Sequence, residues 1–253
     1  EGLTPHASLN VIRLLAVEDA LQGVEVALGG GGVRKGVVST RGHRMAVSVV
    51  VDAYVAAGRG VVVARVVCPS CRAVMGRWSG YQRSVRVGGR CWGLWVARVR
   101  CSGCAVSHAL VPSFLVVGRL DVVESIGVVV EAVTGGVCGV RPAAGRVEVP
   151  YTTARDWVRC FNTRAGMLWS GFAALTIELG GDVETRGRGD TIAVMGSAHR
   201  AAAARHEVLT GGLWAFVSSV TGGMLIRSNT DPPWQVFGSR RFIPPIPFRG
   251  HEG

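Results

Sequence analysis

The spacing of apolar residues changes along this chain. Residues 46–67 hold two apolar runs split by AAGRG. This pattern predicts a short strand, a helical turn and a second strand over VVVARVV. SVRVGGRCWGLWVARVR then predicts two strands joined at Gly88-Gly89, a tight hairpin signal. From about residue 120 the period becomes helical. In DVVESIGVVVEAVTGG, Ile126, Val129, Val130 and Val133 share one face. Asp121 and Glu124 stand there in capping-box spacing, and Gly-Gly is the stop. In VPYTTARDWVRCF, Ala154, Trp157, Val158 and Phe161 share one face, predicted to pack on the helix at 121–134. Pro150 ends the turn before it. Thr152 or Thr153 can cap the new helix, with Asp156 answering Thr153. Further helices are predicted at about 164–179, 190–207 and 212–221, and 180–189 reads as a Gly-rich linker.

These elements define an α+β fold. A small β module at 45–112 is followed by a helix-turn-helix region at 113–180 and C-terminal helices at 181–229. A Pro-rich tail occupies 230–253. Residues 1–44 are Gly-rich without a clear period and read as a poorly structured extension, because MAVSVVVDAYVAAGRG from Met45 resembles a protein start.

Composition sharpens the functional reading. The 253 residues carry a formal net charge of +11, and Lys35 is the only lysine. An arginine excess of this size points to a polyanionic partner. No uncharged apolar run reaches the roughly 18 residues of a membrane span. The start lacks the basic end and apolar core of a signal peptide. The expected location is therefore cytoplasmic, where seven cysteines read as metal ligands or buried thiols rather than disulfides.

Four of those cysteines form a pattern. Cys68-Pro-Ser-Cys71 and Cys101-Ser-Gly-Cys104 make two CxxC turns, and the hairpin between them places both at one end of a small sheet. Two thiolates from each turn can complete a tetrahedral zinc site with no open position. Cys68, Cys71, Cys101 and Cys104 are thus the candidate ligands of one structural Zn2+. A redox dithiol or four ordinary thiols are the alternatives, and His108 is an alternative fourth ligand. Cys91, Cys138 and Cys160 stand alone and read as buried apolar residues. So small a module buries little, and metal binding would supply its folding energy.

Arg72, Arg77, Arg83, Arg86, Arg90, Arg98 and Arg100 lie between the two turns with no Asp or Glu among them. Trp78, Tyr81, Trp92 and Trp95 are interleaved. Phosphate contacts would relieve the charge repulsion. Arg77, Arg83, Arg86, Arg98 and Arg100 are therefore candidate contacts to double-stranded DNA. A solvated basic face over an aromatic mini-core is the alternative. In the helical region Tyr151, Thr152, Thr153, Arg155 and Arg159 are the candidate DNA contacts of a recognition helix. Pro142 would shorten the helix before it, and Glu148 in the turn is less favourable than glycine.

The chain resembles a family of uncharacterised zinc-ribbon plus helix-turn-helix proteins of high-GC bacteria, found near insertion sequences and integrase-type transposases. DAYVAAGR, CPSC, WSGYQRSVR, RVRCSGCAVSHALVPSFL, VPYTTARDWVRCF and LWAFVSSVTGGMLI carry the resemblance, which covers roughly residues 46–229. It implies a transposition-associated DNA-binding protein, with the four cysteines as zinc ligands and Tyr151 to Arg159 as the recognition helix. A transposase or integrase is the implied protein partner. Pro142 and Cys160 depart from the pattern. The resulting expectation is a non-enzymatic DNA-binding accessory or regulator. The alternatives are a protein-interaction ribbon and a transposase using three carboxylates and two metals. The carboxylates fall on helices and the linker rather than on successive strands, which argues against the last.

Overall fold

The computed structural model describes residues 50–61, 66–68, 71–184, 190–205 and 212–226. The expectations for 1–44 and 230–253 lie outside these residues. Residues 50–57 form helix α1, followed by a 3-10 turn at Gly58–Gly60. A strand was expected over this first apolar run. The helix is favoured because Val51 and Tyr54, three residues apart, both sink into the core while Asp52 stays in solvent.

Four antiparallel strands follow in the order β1 (Val66–Val67), β2 (Val74–Val87), β3 (Arg90–Cys101) and β4 (Ser107–Ala109). The β2–β3 hairpin turns at the expected Gly88-Gly89, with φ of 52° and 77°. Both values lie in the left-handed region, where glycine has no Cβ penalty. The pairing shifts register between Arg77 and Ser79, a bulge that leaves Trp78 outside the ladder. At Gly80 a Cβ would stand 2.4 Å from the Trp95 ring, so only glycine lets the indole lie across β2.

Five helices complete the fold: α2 (Val123–Thr134), α3 (Val140–Arg146), α4 (Tyr151–Glu178), α5 (Thr191–Arg205) and α6 (Leu213–Val220). The apolar faces are as the periodicity predicts. Ile126, Val129 and Val130 on α2, and Ala154, Trp157, Val158 and Phe161 on α4, are buried. α4 packs on α2, α3 and α5. One apolar cluster runs from Val116 to Ile226, and a smaller one joins α1 to the hairpin. No described helix is long and apolar enough to cross a membrane.

Three local expectations are corrected. α4 is one helix of 28 residues, not a recognition helix followed by a second helix at 164–179. No proline interrupts it, and Arg164 donates to the carbonyls of Met224 and Leu225 at 3.1 Å, fixing its middle to the chain beyond α6. Neither Thr152 nor Thr153 caps α4, because the helix already starts at Tyr151 after Pro150. Asp121 does not cap α2, whose first turn has no side-chain cap; its carboxylate turns to Arg86 instead. Pro142 lies in the first turn of α3, where its missing N–H has no intrahelical role. α3 is short, at seven residues, in line with the expectation that Pro142 would shorten it.

Glu124 occupies a costly position. Its Oε2 is sealed from solvent without a hydrogen-bond partner among the described residues. Burial raises its pKa from 4.5 to about 7, against a smaller opposing effect of its own backbone N–H. Between those pH values the folded chain holds a proton that the unfolded chain releases. Stability therefore falls as pH rises from about 4.5 to 7, by on the order of 3 kcal/mol in total. Glu124→Gln should remove this cost. The variant's gain in denaturant midpoint is expected to be larger at pH 8 than at pH 5.5, and an equal gain at both would contradict the burial argument.

Candidate metal centre and basic surface

The four cysteines converge at one end of the sheet. Cys68 follows β1 and Cys101 ends β3, and both are buried; Cys71 and Cys104 are exposed. The two CxxC turns share one hydrogen-bond pattern. Arg72 N donates to Cys68 O at 2.9 Å, and Ala105 N to Cys101 O at 3.1 Å. Cys68 N donates to Ala73 O at 2.8 Å, and Cys101 N to Val106 O at 2.9 Å. Arg72 and Ala105, each following the second cysteine of its turn, adopt left-handed φ of 66° and 60°. Two non-glycine residues held in this disfavoured region at matching positions show how tightly each turn is wound.

All four Sγ atoms lie within 4.8 Å of one another, close enough to hold one metal ion. Cys68 and Cys104 Sγ are 3.6 Å apart, and Cys71 and Cys101 Sγ are 3.2 Å apart. Cys101 Sγ also accepts from the backbone N–H of Gly103 at 3.3 Å and of Cys104 at 3.5 Å. The Cys104 N–H is the main cause that lowers the Cys101 pKa to about 6, with burial opposing it. Cys101 is thus a readier thiolate than Cys71 and Cys104, whose pKa values are raised, and metal ligation needs the thiolate. His108 lies on β4 and is not a member of the cluster. Cys138 is half-buried and Cys160 buried, but Cys91 is exposed, contrary to the expectation of a buried thiol.

The structure sorts the candidate arginines by what they touch. Arg77 donates to the carbonyls of Val61 and Arg59. One terminal nitrogen of Arg83 donates to the carbonyls of Val116 and Arg119, and burial lowers its pKa. Arg86 forms a two-pronged ion pair with Asp121, Nε to Oδ1 at 2.7 Å and Nη2 to Oδ2 at 3.0 Å. The view of these arginines as wholly uncompensated is therefore wrong for Arg86, whose carboxylate comes from outside the cysteine module. Arg98 donates to Ser107 Oγ at 2.7 Å and Arg100 to Ala105 O at 3.2 Å. Both guanidinium carbons lie 5.4 Å from the centre of the Trp78 ring.

On the helical side, Tyr151, Thr152, Arg155 and Arg159 are exposed on the first turns of α4, and Thr153 is half-buried. Arg141 of α3 and Arg155 of α4 stand 5.3 and 5.7 Å from the Tyr151 ring centre. Arg141 did not stand out from the sequence, since its approach to Tyr151 depends on how α3 meets α4. Asp156 bonds Arg119 and Arg159, each at 2.7 Å, rather than Thr153. Burial would raise the Asp156 pKa, but the hydrogen bonds from Arg159 and Arg119 prevail and hold it below the ordinary carboxylate value. Cys160 is buried beside this network, 3.6 Å from Arg119 Nη2.

Fold and site together define an α+β protein with a four-cysteine cluster at the end of an antiparallel sheet and arginines on both its β and its helical parts. Comparison with family models, with curated proteins and with solved structures finds no match.

Proposed function

We propose that this protein binds double-stranded DNA without catalysing a reaction on it, through a helix-turn-helix formed by α3, the four residues 147–150 and α4. The observation that carries this reading is the exposed start of α4. Tyr151, Thr152, Arg155 and Arg159 face solvent there, and Arg141 joins them from α3. The N-terminal residues of such a helix reach base edges, while arginines take guanine or phosphate. Glu148 in the turn has a left-handed φ of 56°, the conformation for which glycine is the better residue.

Zinc is the ion that best suits the cysteine cluster. Four thiolates from two matched turns fit its tetrahedral preference and leave no site for a reacting water. The sheet end then acts as a zinc ribbon, a structural support rather than a reaction centre. Asp121 and Asp156 are engaged with arginines, which also disfavours a transposase-type metal site. The family resemblance extends the reading to a cytoplasmic transposition accessory or regulator that acts with a transposase or integrase.

The test titrates the zinc-loaded full chain with random-sequence duplex at two salt concentrations. Binding should weaken steeply with salt. Replacing Arg155 and Arg159 together by alanine should weaken it further and flatten the slope by roughly one unit per lost phosphate contact. Unchanged affinity would remove α4 from the interface. One zinc per chain without any duplex binding would favour the protein-interaction ribbon.

A further inference from the structure

A second surface, on the sheet, has different chemistry. The bulge between Arg77 and Ser79 turns Trp78 out of the ladder, and the residue stays 52 % exposed. Tyr81, three residues further along β2, is 41 % exposed. Large aromatic side chains left in solvent mark a contact surface more often than a structural need. Here they are bordered by charge. Arg98 and Arg100 flank the Trp78 ring, and their described hydrogen bonds go to a hydroxyl and a carbonyl, not to carboxylates. No Asp or Glu occurs anywhere from residue 53 to 120, a stretch with ten arginines.

Tyr81 also lines a cleft of about 830 Å³, and Arg83 lies in its wall. The described hydrogen bonds of Arg83 all use Nη2. Its Nε and Nη1 are left with no partner among the described residues. The surface therefore joins flat aromatic faces to fixed cations and ends in a cleft of ligand size that contains an arginine.

A duplex does not match this arrangement. Its base faces are stacked on one another and offer nothing to an exposed indole. An unpaired strand offers both features at once, since its bases present π-faces and its phosphates accept from guanidinium groups. An apolar protein partner would leave Arg98 and Arg100 covered without an anion. We propose that this face binds an unpaired nucleic-acid strand, with bases stacking on Trp78 and Tyr81, phosphates meeting Arg98 and Arg100, and the next nucleotide entering the Arg83 cleft. This site is separate from the start of α4 and does not depend on it.

The test uses the zinc-loaded full chain and fluorescent oligo-thymidylate and oligo-uridylate probes of about 12 nucleotides, beside a blunt duplex. Alanine replacement of a stacking aromatic is worth about 1–3 kcal/mol per base, roughly 5- to 150-fold in affinity. Trp78→Ala should therefore weaken single-strand binding within that range and change duplex binding less than twofold. Trp78→Phe should recover most of the loss, and Tyr81→Ala should give a smaller loss of the same kind. Tight binding of either probe supports the site, and the preference between them tells whether DNA or RNA is the natural strand. Single-strand affinity that ignores Trp78→Ala, or equal loss for single strand and duplex, would overturn it. Trp78-dependent binding of a single strand by a chain that fails to bind duplex would uphold this site while refuting the duplex reading.

Discussion

Cys101→Ser should release the bound metal and open one end of the sheet while leaving the helical core folded. Among the described residues, the apolar cluster around the cysteine turns has six buried members: Val66, Cys68, Met75, Val99, Cys101 and Leu110. Two of the six, Cys68 and Cys101, are themselves candidate ligands. β1 has two described residues and β4 three, so the described parts of both contribute few ladder hydrogen bonds. On the zinc reading, so little buried area would leave the turns dependent on the ion, since structural zinc supplies about 10–16 kcal/mol of apparent binding energy in small zinc peptides. Cys101 is a damaging position to lose, because two backbone N–H groups are already aimed at its sulfur. A chelator should have the same effect on the wild-type chain, and so should acid, because protons compete for the thiolates.

Metal analysis and amide hydrogen exchange together provide the check. One zinc per chain is expected for the wild type. For Cys101→Ser, protection should be lost in β1, β4 and the adjoining ends of β2 and β3, but kept in α4, whose contacts belong to the large helical cluster. Cys91→Ser is the control: Cys91 is exposed and outside the cluster, and its loss should leave both metal and protection unchanged. Full protection of the turns in metal-free Cys101→Ser protein would show that the sheet end folds without the ion.

The second large effect is expected at Arg86. Its pair with Asp121 joins the hairpin to the chain entering α2, where Arg86 N donates to Leu120 O at 2.8 Å and Val122 N to Arg86 O at 3.3 Å. The Asp121 side chain is only 4 % exposed. Arg86→Ala would leave that carboxylate buried with its principal cation gone, a change that typically costs about 3–5 kcal/mol. Replacing both partners, as in Arg86→Met with Asp121→Leu, should recover most of this loss, because no isolated charge then remains. Urea denaturation measures both. If Arg86 instead served mainly to contact DNA, Arg86→Ala would leave the urea midpoint in place and flatten the salt dependence of binding. The structure predicts the reverse order of effects.

The parts legible in the sequence rest on local relations. Two thiols held by one turn need only their CxxC spacing, and two such turns meet because a Gly-Gly hairpin folds the intervening strands back on themselves. The buried faces of α2 and α4 follow from helical periodicity, since burial of Ile126, Val129, Trp157 and Phe161 needs only that one side of each helix meet a core. Misreadings arose where two local signals competed. Asp121 and Glu124 have capping-box spacing, and Thr152, Thr153 and Asp156 form a plausible capping set. In both places a carboxylate found an arginine from elsewhere in the fold, and a charged hydrogen bond outweighs a cap.

By itself, then, the sequence determined the α+β class, the four converging cysteines, the hairpin turn and the inner faces of the helices. Each depends on residues within a few positions of one another or on one repeating period. Only the tertiary structure decided which arginines are spent inside the protein and which remain on its surface. Arg86 is matched by Asp121, 35 residues away, and Arg119 by Asp156, 37 residues away. A β-bulge sets Trp78 in solvent between two guanidinium groups. Charge acts through space rather than along the chain, so the partner of an arginine is decided by which segments the fold brings together.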